Sequence, residues 1–459
     1  MITILRMLTM TFLVTSLMPS SSMSQEIRSP LDEYIEQALK QNLTLLQKNN
    51  LYARSLISLK EAKSLFLPEA SFQSSYQTGK GGRSINFPLG DIINPIYRDL
   101  NRLNSNFSFK DIQNADVFFL PNNFFESKIH TTIPIINSDL TYNKRIQTQQ
   151  IILQNLDVEI FKRELIESIK TAYYSYFSAN EVLNIYKSAL QRAQVNKRIN
   201  EKLLQNGKGV KAYVLRADGE VEQNQALITD AAKQVENARL YFNFLLNRSA
   251  DESITIPTDL TITLINADKL LSSQPNADKR EEIQSLNEGV NLNKNYLKLN
   301  QKQWLPKLNG FLDIGTQNTD FKFNSRSTYY FTGVQLDIPI FKGGRNTYKV
   351  RKSEIDLQNA ELNRDLVLQQ LTLSAQTAKN SYVSISQKSR SLNKQLEAAS
   401  SYQKLIERGF KEGMNSFIED VDARNQLTQA QLAVKINEYQ LLIAAANFER
   451  EIAAGNTKF

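Results

Sequence analysis

The sequence predicts a mainly α-helical protein that also carries membrane β-strands and is built as an internal duplication. The first observation is two very long apolar seams with steps of three and four residues, one over about residues 141–246 and one that begins after Gly344. The second is a set of short segments in which apolar and polar residues alternate with a period of two. The third is that a helix, two strands and a long helical hairpin occur twice in the same order.

Composition narrows the functional classes. The chain has 459 residues, of which 41% are apolar, so it is long enough to bury a large core and does not have the composition of a disordered protein. The net charge of +8 is spread along the chain without a basic run, which argues against nucleic-acid binding. The sequence shows no set of residues typical of an active site, so we expect no enzyme, no catalytic residues and no cofactor.

Cysteine and histidine usage bears on metal sites and on lipidation. The chain contains no cysteine, which excludes disulfides, thiolate metal sites and a lipid-bearing amino-terminal cysteine. The single histidine, His130, lies on the polar side of a predicted strand and needs no special role there. One histidine without cysteine argues against a zinc or copper site, so no metal is expected.

The amino-terminal residues differ from the rest of the chain. A basic residue is followed by an apolar run that ends near Val14, and small residues stand at Ser22 and Ser24. This pattern predicts a secretory signal peptide over residues 1–24 that is cleaved after Ser24. No later stretch of about 18 apolar residues occurs, so no transmembrane helix is expected. Such an exported chain is either soluble outside the inner membrane or enters a membrane as a β-barrel.

The first repeat is predicted to span residues 25–248 and to begin with a helix over residues 31–65. Leucine and isoleucine at helical spacing give that helix one apolar side. The helix stops before Pro68, because the residue that precedes proline avoids the helical conformation.

Two strands, an irregular segment and the first hairpin complete this repeat. Alternation predicts strands over about residues 70–77 and 128–135. Residues 79–126 are rich in Asn, Phe, Gly and Pro and are expected to be irregular. The long hairpin then turns at residues 206–209, where glycine can take the left-handed conformation that ends a helix.

A linker over residues 249–279 precedes the second repeat, residues 280–459, which follows the same plan. The segment that connects its two strands is shorter than the one in the first repeat, which carries about 33 additional residues within the 79–126 segment. In this alignment Gly209 corresponds to Gly413. Proline and glycine mark the strand starts and ends in the two repeats: Pro68, Pro134, Pro306, Pro339, Gly343 and Gly344.

Four strands cannot form a closed barrel by themselves. Bacterial outer-membrane barrels begin at eight strands, and an open sheet edge in lipid leaves backbone groups unpaired. Copies of the chain must therefore share a barrel, and two, three or four copies would supply eight, twelve or sixteen strands. Polar residues on one strand face, among them Asp313 and Gln335, predict water inside.

This duplicated plan resembles the outer-membrane efflux protein family typified by TolC. Three features carry the resemblance: the Leu-Pro strand starts, residues 338–345 (IPIFKGGR) and residues 410–423 (FKEGMNSFIEDVDA). The resemblance implies a homotrimer with a 12-stranded outer-membrane β-barrel, four strands from each protomer. A long periplasmic α-helical coiled-coil barrel would continue that β-barrel.

The resemblance also implies a function. The protein would be the exit duct of a tripartite efflux system in the outer membrane, bound to a periplasmic adaptor protein and an inner-membrane pump and surrounded by outer-membrane lipid. The exit duct of a type I protein secretion system is an alternative with the same fold. A periplasmic coiled-coil scaffold without a pore is an alternative of another class, against which the alternating strands argue.

Two sets of residues are candidate sites on this resemblance. The adaptor-docking residues lie at the hairpin turns: Gly209, Val210, Lys211, Gly413, Met414, Asn415 and Ser416. Plain helix termination by glycine is the alternative interpretation of those turns, and the first turn matches more loosely because Ala212 stands in place of serine. The candidate periplasmic aperture holds Lys404, Glu407 and Arg408, a mixed set rather than an acidic ring, for which a solvated helix face is the alternative.

Overall fold

The computed structural model describes residues 29–103, 106, 108–119, 122–255 and 280–454. The predicted signal peptide with its cleavage site at Ser24, and residues 256–279 of the predicted linker, lie outside the described residues.

The helices and strands follow the predicted order with additions in the first half. In the first half the elements are α1 (Pro30–Gln41), α2 (Leu43–Ser64), β1 (Glu69–Gln77), β2 (Ser84–Phe87), α3 (Leu89–Leu103), β3 (Ala115–Phe118), β4 (Phe124–Ile136), α4 (Ser138–Gln205) and α5 (Lys211–Leu245). In the second half they are α6 (Glu281–Gln301), β5 (Lys307–Thr319), β6 (Thr328–Asp337), α7 (Arg345–Lys411) and α8 (Phe417–Glu451).

The single helix expected over residues 31–65 is two helices, α1 and α2, that meet at Asn42. The Asn42 backbone is extended, with φ −62° and ψ 122°. Its side-chain oxygen accepts a hydrogen bond from the Leu45 backbone N–H, and its Nδ2 donates to the Leu245 carbonyl at 2.9 Å. Asparagine caps a helix well, so α2 begins after Asn42. The bond to Leu245 holds Asn42 in this extended conformation, and the helix is therefore interrupted although the local apolar pattern continues.

The segment expected to be irregular, residues 79–126, contains regular structure. β2 and β3 pair as a separate two-stranded sheet, and α3 lies between them in the chain. Pro95 lies inside α3, where it removes one backbone donor without ending the helix. The expectation of an irregular segment was therefore wrong.

The main sheet has four antiparallel strands in the order β1-β4-β5-β6. The two repeats join at its centre, where β4 pairs with β5 and Ile129 lies opposite Ile314. β1 and β6 are the two edges, and neither has a further partner strand within the described residues. One protomer thus presents an open sheet.

Long helices extend away from this sheet. α4 has 68 residues and α7 has 67, so each spans roughly 100 Å at 1.5 Å per residue. α4 packs along α5, α6 and α8, and α7 packs along α6 and α8. Within the described residues, no helix combines the length and the apolar character that crossing a membrane requires.

The largest apolar core lies partway along these rods. Tyr34 of α1 meets Phe242 of α5 edge-on with ring centroids 5.1 Å apart, and both rings pack near Tyr173 of α4. Close to this core the buried Arg280 binds the Glu451 carboxylate at 2.8 Å. These contacts fix the helices midway, so the sheet lies at one end of the rods and the hairpin turns lie at the other.

Candidate functional site

One face of the main sheet is apolar and exposed. Phe72, Ile129, Ile314 and Tyr330 form a row across all four strands, and each is more than half exposed. Large apolar side chains in a continuous row indicate a surface that contacts lipid or protein rather than water.

The opposite face carries a network of charged groups around Asp313. Lys128 Nζ lies 2.9 Å from Asp313 Oδ2, and His130 Nδ1 contacts Asp313 Oδ1. Nearby, the Tyr329 hydroxyl donates to the Glu126 carboxylate. No special role was expected for His130 from the sequence, whereas the structure places its side chain in this network because β4 and β5 bring Asp313 beside it.

Proline bounds the strands at the end of the sheet nearest the helices. Pro68 and Pro306 directly precede β1 and β5, and Pro339 follows β6 by two residues. Pro134 lies inside β4 rather than at its end, and the pairing with β5 shifts register between Pro134 and Ile136. The shift follows from the lack of a proline N–H for the ladder.

Two consecutive glycines lead from the sheet into α7. Gly343 has φ +59° and Gly344, which is the N-cap of α7, has φ +73°. Side chains rarely adopt these left-handed conformations, so the pair permits the abrupt change of direction between strand and helix.

Aromatic side chains gather at the far end of the sheet. Tyr76 and Phe125 both stack on Phe321, with ring centroids 5.3 Å apart in each pair, and Phe323 lies 4.7 Å from Phe125. Aromatic rings at the end of an apolar strand face are typical of a membrane interface.

Both helical hairpins turn in the same way at the other end of the molecule. Gly207 and Gly413 have φ of +69° and +80°. Each glycine N–H bonds the carbonyl three residues earlier, and the next N–H bonds the carbonyl five residues earlier, at 3.0 and 2.8 Å in the first turn and 3.1 and 2.7 Å in the second. This pair of bonds is the Schellman arrangement that ends a helix at a left-handed glycine.

The expected correspondence of Gly209 with Gly413 was wrong by two residues, because Gly207 is the left-handed glycine of the first turn. Gly209 serves a different purpose: a Cβ at this residue would lie 2.4 Å from the Leu204 nitrogen. Glycine at position 209 therefore lets the start of the return segment of the hairpin pass close to the backbone of Leu204 at the end of α4. By the same shift, the counterpart of Ser416 is Val210, since each precedes its return helix.

The two return helices begin differently. Ser416 Oγ accepts from the Glu419 N–H at 3.2 Å and the Glu419 carboxylate accepts from the Ser416 N–H at 2.6 Å, which makes a capping box. Val210 caps α5 without a side-chain hydrogen bond. Six of the seven candidate docking residues, Gly209, Val210, Gly413, Met414, Asn415 and Ser416, lie in the two turns, and Lys211 is the first residue of α5. Val210 and Met414 are exposed.

A small apolar core joins the two hairpins near these turns. Phe417 of α8 is fully buried and packs against Tyr213 of α5 and Phe410 of α7, with ring centroids 5.1 and 6.2 Å apart. Ala217 and Val421 complete this cluster. The two turns are thereby held side by side as one tip.

Next to this core lies a buried ionic cluster that was not predicted from the sequence. Arg424 binds Asp420 at 3.0 Å on its own helix and Glu220 of α5 at 3.3 Å, and Asn196 of α4 donates to Asp420 at 3.2 Å. Burial raises the pKa of both the Glu220 and the Asp420 carboxyl groups, and Arg424 opposes that rise. The one signal in the sequence is the i, i+4 spacing of Asp420 and Arg424.

The candidate aperture residues lie on α7 close to the second turn. Lys411 donates to Glu407 at 2.6 Å and is the main reason that the pKa of Glu407 is lowered. Arg408 Nε lies 3.7 Å from the Glu412 carboxylate, and Lys404 is exposed. Glu407 and Glu412 thus each have a basic side chain four residues away in the chain. Across the described parts of the chain, no cluster of three or more His, Asp or Glu could hold a metal ion.

Comparison with solved structures identifies the class of protein that this fold defines. The outer membrane protein VceC from Vibrio cholerae superposes with a TM-score of 0.73 at 14% identity, covering 93% of this chain and 96% of that chain. The CmeC outer membrane channel of Campylobacter jejuni gives 0.74 at 15% identity, covering 93% and 87%. The open-state MtrE outer membrane channel of Neisseria gonorrhoeae gives 0.72 at 14%, covering 93% and 90%.

The predicted fold class is therefore confirmed: the chain has the fold of one protomer of a TolC-like outer-membrane channel. Residues 277–452 match the family described as outer membrane efflux protein, which confirms the resemblance inferred from the sequence. The descriptions of these relatives agree with the expected outer-membrane location. No curated protein sequence matches the chain.

Proposed function

We propose that this protein is the outer-membrane exit duct of a tripartite efflux system. It conducts small molecules passively from a periplasmic adaptor protein and an inner-membrane pump to the exterior. As organisation of the chain, we propose a signal peptide over residues 1–24, repeats over residues 25–248 and 280–459, and a linker between them.

The observation that carries this proposal is the open four-stranded sheet with one apolar and one charged face. Each edge strand, β1 and β6, has no partner on its outer side within the described residues. Three copies joined edge to edge would give twelve strands, with the row through Ile129 facing lipid and the Asp313 network facing a water-filled lumen. A sheet with one apolar and one charged face suits a barrel wall between lipid and water, and a periplasmic scaffold without a pore does not require such a wall.

The tip formed by the two turns is the proposed docking surface for the adaptor. Val210 and Met414 project there, exposed, at the end of helices that extend roughly 100 Å. Phe417 and the Arg424 cluster hold the turns together, so a partner meets one preformed surface. Lys404, Glu407 and Arg408 would line a narrowing on α7 close to the tip, and these three side chains form a mixed set with one acidic and two basic members rather than an acidic ring.

The proposal is tested by fractionation, gel mobility and conductance of the detergent-extracted protein. We expect recovery with outer membranes, an unheated trimer that becomes a monomer on boiling, and channels in planar bilayers. Recovery as a soluble periplasmic protein without conductance would support the scaffold instead.

An experiment in cells distinguishes the efflux function from the protein-secretion function. A deletion strain should become sensitive to several small toxic compounds, and the wild-type gene should restore resistance. Unchanged sensitivity together with loss of one secreted polypeptide from the medium would favour the duct of a type I secretion system.

A further inference from the structure

The helix α3 turns its apolar side away from the protein. Its large aliphatic residues recur in steps of three and four and are all exposed: Leu89, Ile92, Ile96, Leu100 and Leu103. We call this set the α3 stripe. A surface helix normally turns such a stripe toward the core of its own chain.

The polar side of α3 is instead bound to its own chain. Asn94 uses both amide atoms on the Ile112 backbone, donating to the carbonyl at 2.9 Å and accepting from the N–H at 2.8 Å. Asn101 holds the Phe109 backbone in the same way, at 2.9 and 2.7 Å. The two asparagines are seven residues apart and therefore lie on one side of the helix. This double attachment fixes the stripe in its outward orientation.

The segment that carries α3 has no core of its own. Among its described residues between positions 79 and 119, Gly90 alone is buried. The Ile112 backbone packs so closely on Gly90 that an added Cβ would lie 2.3 Å from the Ile112 carbonyl oxygen. Ile85 and Val117, paired across β2 and β3, are also exposed. Such a segment needs an apolar surface outside itself.

Two features of the segment indicate that a second copy of the chain supplies this surface. The segment leaves the main sheet at the end of β1, an edge strand that must meet the next copy for the barrel to close. The three–four spacing of the stripe is that of a helix that packs on another helix. The helix α3 as a whole carries Asp91, Arg98, Asp99 and Arg102, whose charges cancel and give no net attraction to an anionic lipid surface.

We propose that the α3 stripes of three copies pack against one another above the outer mouth of the barrel. The inference rests on the trimer of the proposed function. In a symmetric trimer, three like surfaces can meet only around the three-fold axis. That axis is also the axis of the pore, so the three α3 helices form a cap across the exit.

The absence of cysteine from the chain allows a direct test in native outer membranes. Ile96→Cys is the reporter, and Arg98→Cys, on the polar side of the same helix, is the matched control. A disulfide requires Cα atoms about 4.4–6.8 Å apart, which places residue 96 within about 4 Å of the axis. Three thiols form one disulfide, so mild oxidation should convert about two-thirds of the Ile96→Cys chains to covalent dimer and leave Arg98→Cys as monomer.

Each result has one meaning because trimer is measured first on unheated gels. Trimer with covalent dimer at position 96 and none at position 98 supports the cap. Trimer without dimer at position 96, or with equal dimer at both positions, overturns the cap and leaves the channel proposal intact. Quenching of a fluorophore at position 96 by brominated phospholipid would then show that lipid covers the stripe. Absence of trimer overturns both proposals.

Discussion

Arg424 of α8 and Glu220 of α5 form a buried ion pair, with Nη2 and Oε2 3.3 Å apart, that joins the two helical hairpins close to their turns. Asp420 shares the same guanidinium at 3.0 Å. The pair links residues 204 positions apart in the chain. Because these ionic contacts join α5 to α8, we expect them to stabilise the tip.

Arg424→Leu should loosen the tip, because two buried carboxylates lose their partner at a cost of roughly 3–5 kcal/mol. The readout is protease cleavage near the turns in purified trimer, with unfolding by guanidinium as a second measure. Lys411→Ala, which removes an exposed ion pair with Glu407, should cost about 1 kcal/mol or less. Equal protease resistance of Arg424→Leu and the wild type would contradict the prediction.

The pH dependence of tip stability should change in Glu220→Gln. Burial raises the pKa of Glu220 above its unfolded value of roughly 4.3, so the folded state binds more protons in the window between the two pKa values. The contribution of this carboxyl to stability is full below the unfolded pKa and is lost as pH rises through the folded pKa. The melting temperature should therefore fall less steeply with rising pH in the variant than in the wild type. Equal dependence of the melting temperature on pH in the two proteins would argue against a raised pKa.

Gly413→Leu should abolish export while the trimer persists. The left-handed backbone at φ +80° resists a side chain at roughly 1–2 kcal/mol, which a long helical assembly tolerates. No atom lies within 4 Å of a Cβ at this site, so the new side chain would project from the tip surface. Drug sensitivity is measured beside trimer level, and Lys388→Leu, at an exposed position along α7, is the control. Full resistance at normal trimer level would show that the turn only ends a helix.

The segment between β1 and β4 should lie at the cell surface, because it leaves the sheet at the end opposite the helices. Lys80→Cys should react with an impermeant maleimide on intact cells. Lys388→Cys, placed on the periplasmic rods, should react only after the outer membrane is broken. The reverse pattern would invert the topology.

Asp313→Asn should make the channel more selective for anions. Removal of this carboxylate leaves Lys128 without its partner at 2.9 Å on the face that we assign to the lumen. The reversal potential in a salt gradient across a planar bilayer reports the change. Asp320→Asn, in the turn between β5 and β6, is the matched control, and an equal shift in both variants would contradict a lumenal role for Asp313.

The sequence by itself determined the order of the long helices and of the four strands of the main sheet. Apolar steps of three and four predict α4, α5, α7 and α8, and alternation predicts the four strands of the main sheet, because both periods are local properties of the backbone. The α3 stripe was also visible in the sequence, but the content of Asn, Phe, Gly and Pro in residues 79–126 led to the expectation of an irregular segment. The repetition of the plan, with the TolC-like segments, then predicted the fold class.

Only the tertiary structure decided the features that depend on distant partners. Asn42 divides the first helix because it bonds Leu245, and Gly207 rather than Gly209 is left-handed because of bonds across the turn. Asp313 and Arg424 acquire their ionic partners from other strands and helices. A periodic pattern reports which side of an element is apolar, but it does not report which residue of another element lies opposite. The packing of the whole chain sets those pairs, and with them the charged network around Asp313 and the tip in which the two hairpin turns are joined.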